Sequence, residues 1–124
     1  MDLVNYIVSD SVATITLNRP PVNALNAELI SDIGAALSEA EAGEVRAVIV
    51  TGRPHFAAGA DITAFQEAFD GDGDGDLAAS LAAVVAQLQS LEKPTLAAVR
   101  GFALGGGLEL AMGADFRYLA DDAR

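Results

Sequence analysis

Residues 101–115 read Gly-Phe-Ala-Leu-Gly-Gly-Gly-Leu-Glu-Leu-Ala-Met-Gly-Ala-Asp, and this stretch decides how the rest of the chain is interpreted. An apolar run at residues 95–99 precedes it, and Leu-Glu-Leu-Ala-Met has the residue types of a helix. The pattern predicts a strand, a glycine turn and the start of a helix. Glycines at the first helical positions let a ligand approach unpaired N–H groups at the positive end of the helix dipole. The turn is therefore a candidate anion site.

One acidic side chain lies close to this turn in the sequence. Glu109 follows Gly106 by three residues, so if both are helical, the Gly106 N–H and the Glu109 carboxyl share one face. A single ligand is then able to contact both. The structural alternative is that Glu109 only stabilises the helix dipole, and the spacing from Gly106 favours a catalytic role.

Composition restricts the classes of function. The chain has 124 residues, of which 52% are hydrophobic, and we expect residues 1–124 to form one domain with a substantial core. Eighteen acidic residues oppose seven basic ones, which argues against nucleic-acid binding. Glycines and charges interrupt the longest apolar window, so no membrane role is expected, and the cytoplasm is the default location. The chain has no cysteine and a single histidine, so no metal site is expected.

The chain begins with two strand-like segments and a helix. Residues 3–8 and 12–17 are rich in β-branched and apolar residues, and Asp10-Ser11 between them suits a turn, so we predict a hairpin. Asn26 is placed to cap a helix, and Gly43 is a plausible end for it. The apolar residues of that helix recur at helical spacing: Leu29, Ile33, Leu37 and Ala40.

A second buried strand and turn follow that helix. The continuous apolar run at residues 46–52 is typical of a strand buried on both faces of a parallel sheet. Small residues then form a turn at 53–62, in which Asp61 is expected to cap a short helix through Phe65. In the same turn we expect His55 to be an exposed residue rather than part of a catalytic triad.

An Asp-Gly repeat at residues 70–76 separates this turn from the next helix. The repeat has no apolar side chain for packing, and its aspartate side chains repel one another, so we expect a flexible acidic loop. Leu81 stands where a calcium-binding EF-hand loop requires a bidentate glutamate. Helical periodicity returns at 77–91, and residues 116–120 are expected to start one more strand. Asp115, just before that strand, is expected to pair with an arginine.

Other glycine-rich motifs fit the sequence poorly. Leu110 stands where the last glycine of a dinucleotide-binding motif starting at Gly105 is needed. No lysine follows the glycines, as a phosphate-binding loop requires. Nicotinamide and ATP sites are therefore disfavoured.

Four motifs occur in one order along the chain and span nearly all of it: Asn18-Arg19-Pro20, Asn23-Ala24-Leu25, Phe56-Ala57-Ala58-Gly59-Ala60-Asp61-Ile62, and residues 101–115. Together they resemble the crotonase superfamily, the enoyl-CoA hydratases and isomerases, and the match is more specific than any single glycine cluster. The resemblance implies an α/β fold, a crotonase-like spiral of repeated strand-strand-helix units that is incomplete at the C-terminus. It also implies a coenzyme A thioester as ligand and trimers that often pair into hexamers.

The resemblance assigns roles to particular residues. It places the two oxyanion-hole donors on the backbone N–H groups of Ala60 and Gly106, and each such donor contributes about 3 kcal/mol to transition-state stabilisation. Glu109 matches one of the two glutamates that, in hydratases, deprotonate water and return a proton to the α-carbon. The backbone around Ala58, Ala60 and Ile62 matches the segment that receives the adenine of coenzyme A. Coenzyme A is part of the substrate, and no prosthetic group is implied.

The implied activity is addition of water across the 2,3 double bond of an enoyl-CoA through a stabilised enolate, a step of fatty acid β-oxidation. Isomerisation or other enolate chemistry at the same oxyanion hole remains an alternative, as does a non-catalytic acyl-CoA-binding or assembly fragment. The sequence departs from the family pattern in one respect. It reaches Arg124 before the segment that carries the second catalytic glutamate, so residues 1–124 alone are expected to be inactive.

Overall fold

The computed structural model describes residues 1–60 and 77–124. In chain order, the elements of these residues are β1 Val4–Ser9, β2 Val12–Leu17, α1 Ala27–Glu39, β3 Ala47–Gly52, α2 Leu77–Ser90, β4 Thr95–Val99, α3 Gly106–Met112 and β5 Phe116–Leu119. The sequence predicted each of these elements, with bounds that differ by a few residues. The predicted cap at Asp61, the helix after it and the acidic loop at 70–76 lie outside the described residues.

The hairpin at the start of the chain is antiparallel, with Ser9 opposite Val12. Asp10 and Ser11 have φ angles of 53° and 67°. Two consecutive positive φ values are the geometry of the tight turn that matches strand twist, and aspartate tolerates it better than most residues. The predicted hairpin is confirmed.

The strands form one sheet in the order β1-β2-β3-β4-β5, and every pair after the hairpin is parallel. Parallel neighbours need a crossover, and helices provide it here, as the recurrence of strand and helix patterns predicted. Helix α1 packs against β1, β2 and α2, and α2 packs against α3. Because the carboxyl ends of β3 and β4 lie at the same edge of the sheet, the turns that follow them are neighbours in space.

Helix α1 begins as predicted and ends earlier than predicted. The Asn26 side chain accepts a hydrogen bond from the Leu29 N–H at 2.9 Å, which is the expected cap. The helix ends at Glu39 instead of near Gly43. The Lys93 ammonium donates to the carbonyls of Ala40 and Ala42, at 2.6 and 2.7 Å, and so satisfies carbonyls at the end of the helix.

The prediction that Asp115 pairs with an arginine is wrong. The Asp115 carboxylate accepts from the Thr95 N–H at 3.0 Å, and the Asp115 N–H donates to the Thr95 hydroxyl at 2.8 Å. Thr95 is a buried polar residue at the start of β4, and buried polar groups need hydrogen-bond partners. The nearby Arg117 instead donates to the Ala114 carbonyl at 2.8 Å, just after α3.

Two further observations concern the part of the chain that the structure describes. None of its helices is long and apolar enough to cross a bilayer. Its histidine, aspartate and glutamate side chains form no group of three or more that is able to hold a metal ion.

Candidate active site

The turns after β3 and β4 are joined by backbone hydrogen bonds. The Ala57 N–H donates to the Phe102 carbonyl at 2.9 Å, and the Leu104 N–H donates to the Ala57 carbonyl at 3.1 Å. These two bonds form a parallel bridge between Ala57 and Ala103. The two glycine-centred turns predicted from the sequence therefore lie side by side and are fixed to each other.

The Ala60 N–H has a defined direction. The Leu25 N–H donates to the Gly59 carbonyl at 2.7 Å, which orients the peptide group between Gly59 and Ala60. The carbonyl and N–H of one trans peptide group point in opposite directions, so the Ala60 N–H points away from Leu25. Within residues 1–60 and 77–124, it donates to no acceptor. No described residue therefore competes with a ligand for this N–H.

The Gly106 N–H is oriented in the same way by the carbonyl of its own peptide group. The Gly105 carbonyl accepts from the Glu109 N–H at 3.0 Å, so the Gly106 N–H points out of the first turn of α3. It too donates to no other residue that the structure describes. Gly105 has a φ of +51°, a conformation that favours glycine, and this lets the chain turn into the helix.

Ala60, Gly106 and Glu109 line a single cavity of about 230 Å³. The other described residues of its lining are largely apolar: Leu25, Ile30, Leu77, Ala78 and Leu81. The structure thus places the three residues that the sequence suggested for catalysis around one space. The lining thus combines two residues whose N–H groups have no acceptor among the described residues, one glutamate and several hydrocarbon side chains, a composition suited to an apolar chain with a polar head.

The missing side chain at Gly106 keeps this cavity open. A Cβ atom built at Gly106 would lie 2.8 Å from the Leu81 Cδ2 and 3.2 Å from the Leu25 Cδ1. In the sequence, Leu25 belongs to one of the four motifs and Leu81 to the predicted helix at 77–91, and neither residue was assigned to the site. Which face of α2 meets the glycine turn depends on how helices pack, and periodicity does not report that.

Gly107 is held against the other turn, and this leads to a stability prediction. A Cβ atom at Gly107 would lie 2.9 Å from the Ala57 Cβ and closer still to the Ala57 carbonyl. We expect Gly107→Ala to lower the free energy of unfolding by about 1–3 kcal/mol, because backbone atoms must move to admit the methyl group. Urea unfolding followed by circular dichroism measures the change. Gly43→Ala is the matched control, since nothing lies within 4 Å of a Cβ there. Equal stability of the two variants would contradict the close approach of the two turns.

The residues predicted to receive adenine are only partly described. The Ala58 N–H donates to the Val22 carbonyl at 3.1 Å, so this amide has a structural partner. Ala60 is exposed at the cavity, and Ile62 lies outside the described residues. A role for this segment in binding adenine stays a prediction.

His55 differs from the expected exposed turn residue. It is half-buried, and its ring stacks on Phe102 with 4.4 Å between ring centroids. Its Nδ1 accepts from the Phe102 N–H at 3.0 Å, which places the proton of a neutral ring on Nε2. His55 is therefore a further link between the two turns.

The family model for enoyl-CoA hydratase/isomerase matches residues 8–124. The chain belongs to the enoyl-CoA hydratase/isomerase family. It is 42% identical over 132 residues to the short-chain-enoyl-CoA hydratase of Clostridium acetobutylicum, with 100% of this chain and 49% of that protein covered. It spans about half the length of the curated relatives it matches.

Solved structures of this family share the fold. The crystal structure of enoyl-CoA hydratase from Thermoplasma volcanium matches with a TM-score of 0.89 at 33% identity, over 98% of this chain and 49% of that one. An enoyl-CoA hydratase/isomerase (crotonase) structure from Legionella pneumophila matches with a TM-score of 0.91 at 28% identity, over 98% and 49%. The predicted α/β crotonase fold is confirmed, and the chain covers only about half of it.

Proposed function

We propose that the protein hydrates 2-enoyl-CoA thioesters and that the Ala60 and Gly106 amides bind the thioester oxygen. One observation carries this proposal. Ala60 and Gly106, whose main-chain N–H groups have no acceptor among the described residues, line the same cavity as Glu109. In a family that acts on enoyl-CoA, these are the groups needed to stabilise an enolate and to activate water.

The proposed chemistry follows from these groups. Glu109 removes a proton from water while the water oxygen bonds to C3 of the enoyl group. The electron pair of the double bond moves toward the thioester oxygen, where the two amides stabilise the negative charge. The second acid–base group, which the resemblance places beyond Arg124, then donates a proton to the α-carbon, and the thioester carbonyl forms again. Glu109 releases the proton that it took from water to the solvent, and the second group is reprotonated from the solvent. The apolar side of the cavity, including Leu25 and Leu81, receives the acyl carbons.

Double-bond isomerisation is the alternative within the same family, whose model covers both hydratases and isomerases. It uses the same stabilised enolate and needs no water.

On the family resemblance we also propose that the backbone around Ala58, Ala60 and Ile62 receives adenine. We further propose that the protein works in the cytoplasm as a trimer or hexamer, in fatty acid β-oxidation.

An assay of two polypeptides tests the proposal. Residues 1–124 and a version extended past Arg124 with its natural sequence are given a short 2-enoyl-CoA, and loss of the enoyl absorbance is followed. We expect the extended protein to be active and residues 1–124 to be at least about 100-fold slower, because the resemblance places the second acid–base group beyond Arg124. An extended protein without hydratase activity would overturn the hydration proposal. Full activity of residues 1–124 would show that no second glutamate is needed.

A further inference from the structure

Asn23 is a buried polar residue whose side chain joins two separate parts of the chain. It is 1% exposed and has a φ of +55°, and it lies in the connection between β2 and α1. Its Nδ2 lies 2.8 Å from the His55 carbonyl, 3.2 Å from the Phe56 carbonyl and 3.3 Å from the Leu17 carbonyl. One amide group therefore holds the end of β2 against the segment that leads to Ala60.

The acceptor side of the same amide fixes its orientation. The Asn23 Oδ1 accepts from the Arg19 N–H at 2.7 Å, and the Asn23 N–H donates to the Arg19 carbonyl at 2.9 Å. Donors and acceptor are thus both engaged, so the amide cannot turn over without losing hydrogen bonds. Gly52 leaves room for this arrangement, because a Cβ there would lie 2.7 Å from the Asn23 Nδ2.

The residues on each side of Asn23 also form hydrogen bonds to the 55–59 segment. The Val22 carbonyl accepts from the Ala58 N–H at 3.1 Å, and the Leu25 N–H donates to the Gly59 carbonyl at 2.7 Å. The Gly59 carbonyl belongs to the peptide group that carries the Ala60 N–H. The connection around Asn23 is therefore bound to the 55–59 segment at successive points, and the last of these sets the direction of the Ala60 N–H.

We infer that Asn23 is a positioning residue for the oxyanion donor at Ala60, acting through the backbone of residues 55–59. The inference rests on the proposed function of that amide. Asn23 does not need to contact the substrate. Its hydrogen bonds fix where the connection after β2 lies against the turn after β3, and a donor displaced by about 1 Å loses much of its effect on the reaction.

Two substitutions distinguish the effect of the Asn23 side chain from the effect of its backbone conformation. Asn23→Asp keeps the size, tolerates the positive φ and keeps the acceptor for the Arg19 N–H, but it replaces the donor group with an oxygen that repels three carbonyls. Asn23→Gly keeps the conformation and removes the side chain. Thr95→Val is the matched control, because it removes a buried hydrogen-bonding group at the opposite end of the sheet.

The readout is the absorption of a bound chromophoric thioester, a cinnamoyl-CoA, in the extended polypeptide. Polarisation of its carbonyl by two N–H donors shifts the absorption to longer wavelength. We expect the shift to be reduced in both Asn23 variants and kept in Thr95→Val, and kcat for enoyl-CoA to fall about 10- to 100-fold with KM little changed. A general loss of stability would affect Thr95→Val as well.

The outcomes separate the inference from the proposed function. If the unsubstituted protein gives no shift, the oxyanion assignment itself fails. If it gives a shift that both Asn23 variants retain in full, Asn23 does not position the donor. For a variant that does not bind the probe, amide hydrogen exchange of residues 57–60 is measured in the folded chain. Faster exchange there than in Thr95→Val supports the inference, and unchanged exchange overturns it.

Discussion

Replacing the Gly106 amide with an ester should lower turnover of a short enoyl-CoA about 100- to 1000-fold, the usual effect of removing one oxyanion donor. Glycolic acid at position 106, introduced by semisynthesis into the active extended polypeptide, exchanges the N–H for an oxygen atom and keeps the shape of the backbone. The Gly106 N–H donates to no other described residue, so the exchange removes no hydrogen bond within that part of the fold. The ester also makes the Gly105 carbonyl a weaker acceptor for the Glu109 N–H, so stability should fall by at most about 1 kcal/mol, and the main effect should appear in kcat.

Two further esters make this result interpretable. An ester at Gly43, where nothing lies within 4 Å of an added Cβ, should leave turnover unchanged. An ester at Gly107 removes the hydrogen bond to the Leu104 carbonyl, which spans 2.8 Å, and should lower stability. If the Gly106 ester keeps full turnover, the Gly106 amide is not a donor to the transition state.

Glu109→Gln should lower turnover at least about 100-fold, the low end of the contribution of a positioned acid or base. Glutamine keeps the shape of the side chain and is able to hold a water molecule, but it cannot accept the proton. The measurement is kcat for hydration of a short enoyl-CoA in the extended protein. Binding of the substrate should change little, because the loss lies in the chemical step.

Glu28→Gln is the matched control for Glu109. Both acids lie in the first turn of a helix, Glu28 in α1 and Glu109 in α3, and both are exposed. Any effect of a charge on the helix dipole, at most about 1 kcal/mol, should therefore be similar in the two variants. Equal turnover of the two variants would mean that Glu109 acts only on the helix.

Local patterns predicted most of the fold. Alternation in 12–17, the continuous apolar runs and the Asn26 cap each depend on residues within a few positions of one another, so the sequence alone revealed them. The two turns were predicted for the same reason, because glycines follow buried strands at both places. Their proximity follows from the parallel pairing of β3 with β4.

The features that were missed depend on partners far along the chain. His55 binds a residue 47 positions away, Asn23 binds Phe56 at a separation of 33, and Lys93 binds the Ala40 carbonyl at the end of α1 from 53 positions away. Asp115 binds Thr95, 20 positions earlier in the chain, and not the expected arginine. In each case the choice between several chemically suitable partners is made by the packing of whole elements, and periodicity carries no information on it. A hint was present for Asn23, since asparagine adopts positive φ more readily than most residues.

The order of the strands has a consequence for how the molecule forms on the ribosome. Each strand lies beside the one made just before it, so the sheet is able to grow outward from the hairpin as the polypeptide emerges. The lining of the cavity is made in four stages: Leu25 and Ile30 first, Ala60 next, then Leu77, Ala78 and Leu81 of α2, and Gly106 and Glu109 last. The cavity therefore cannot exist until residues 101–107 have docked onto Ala57. Until then, the nascent chain carries a growing sheet without this cavity.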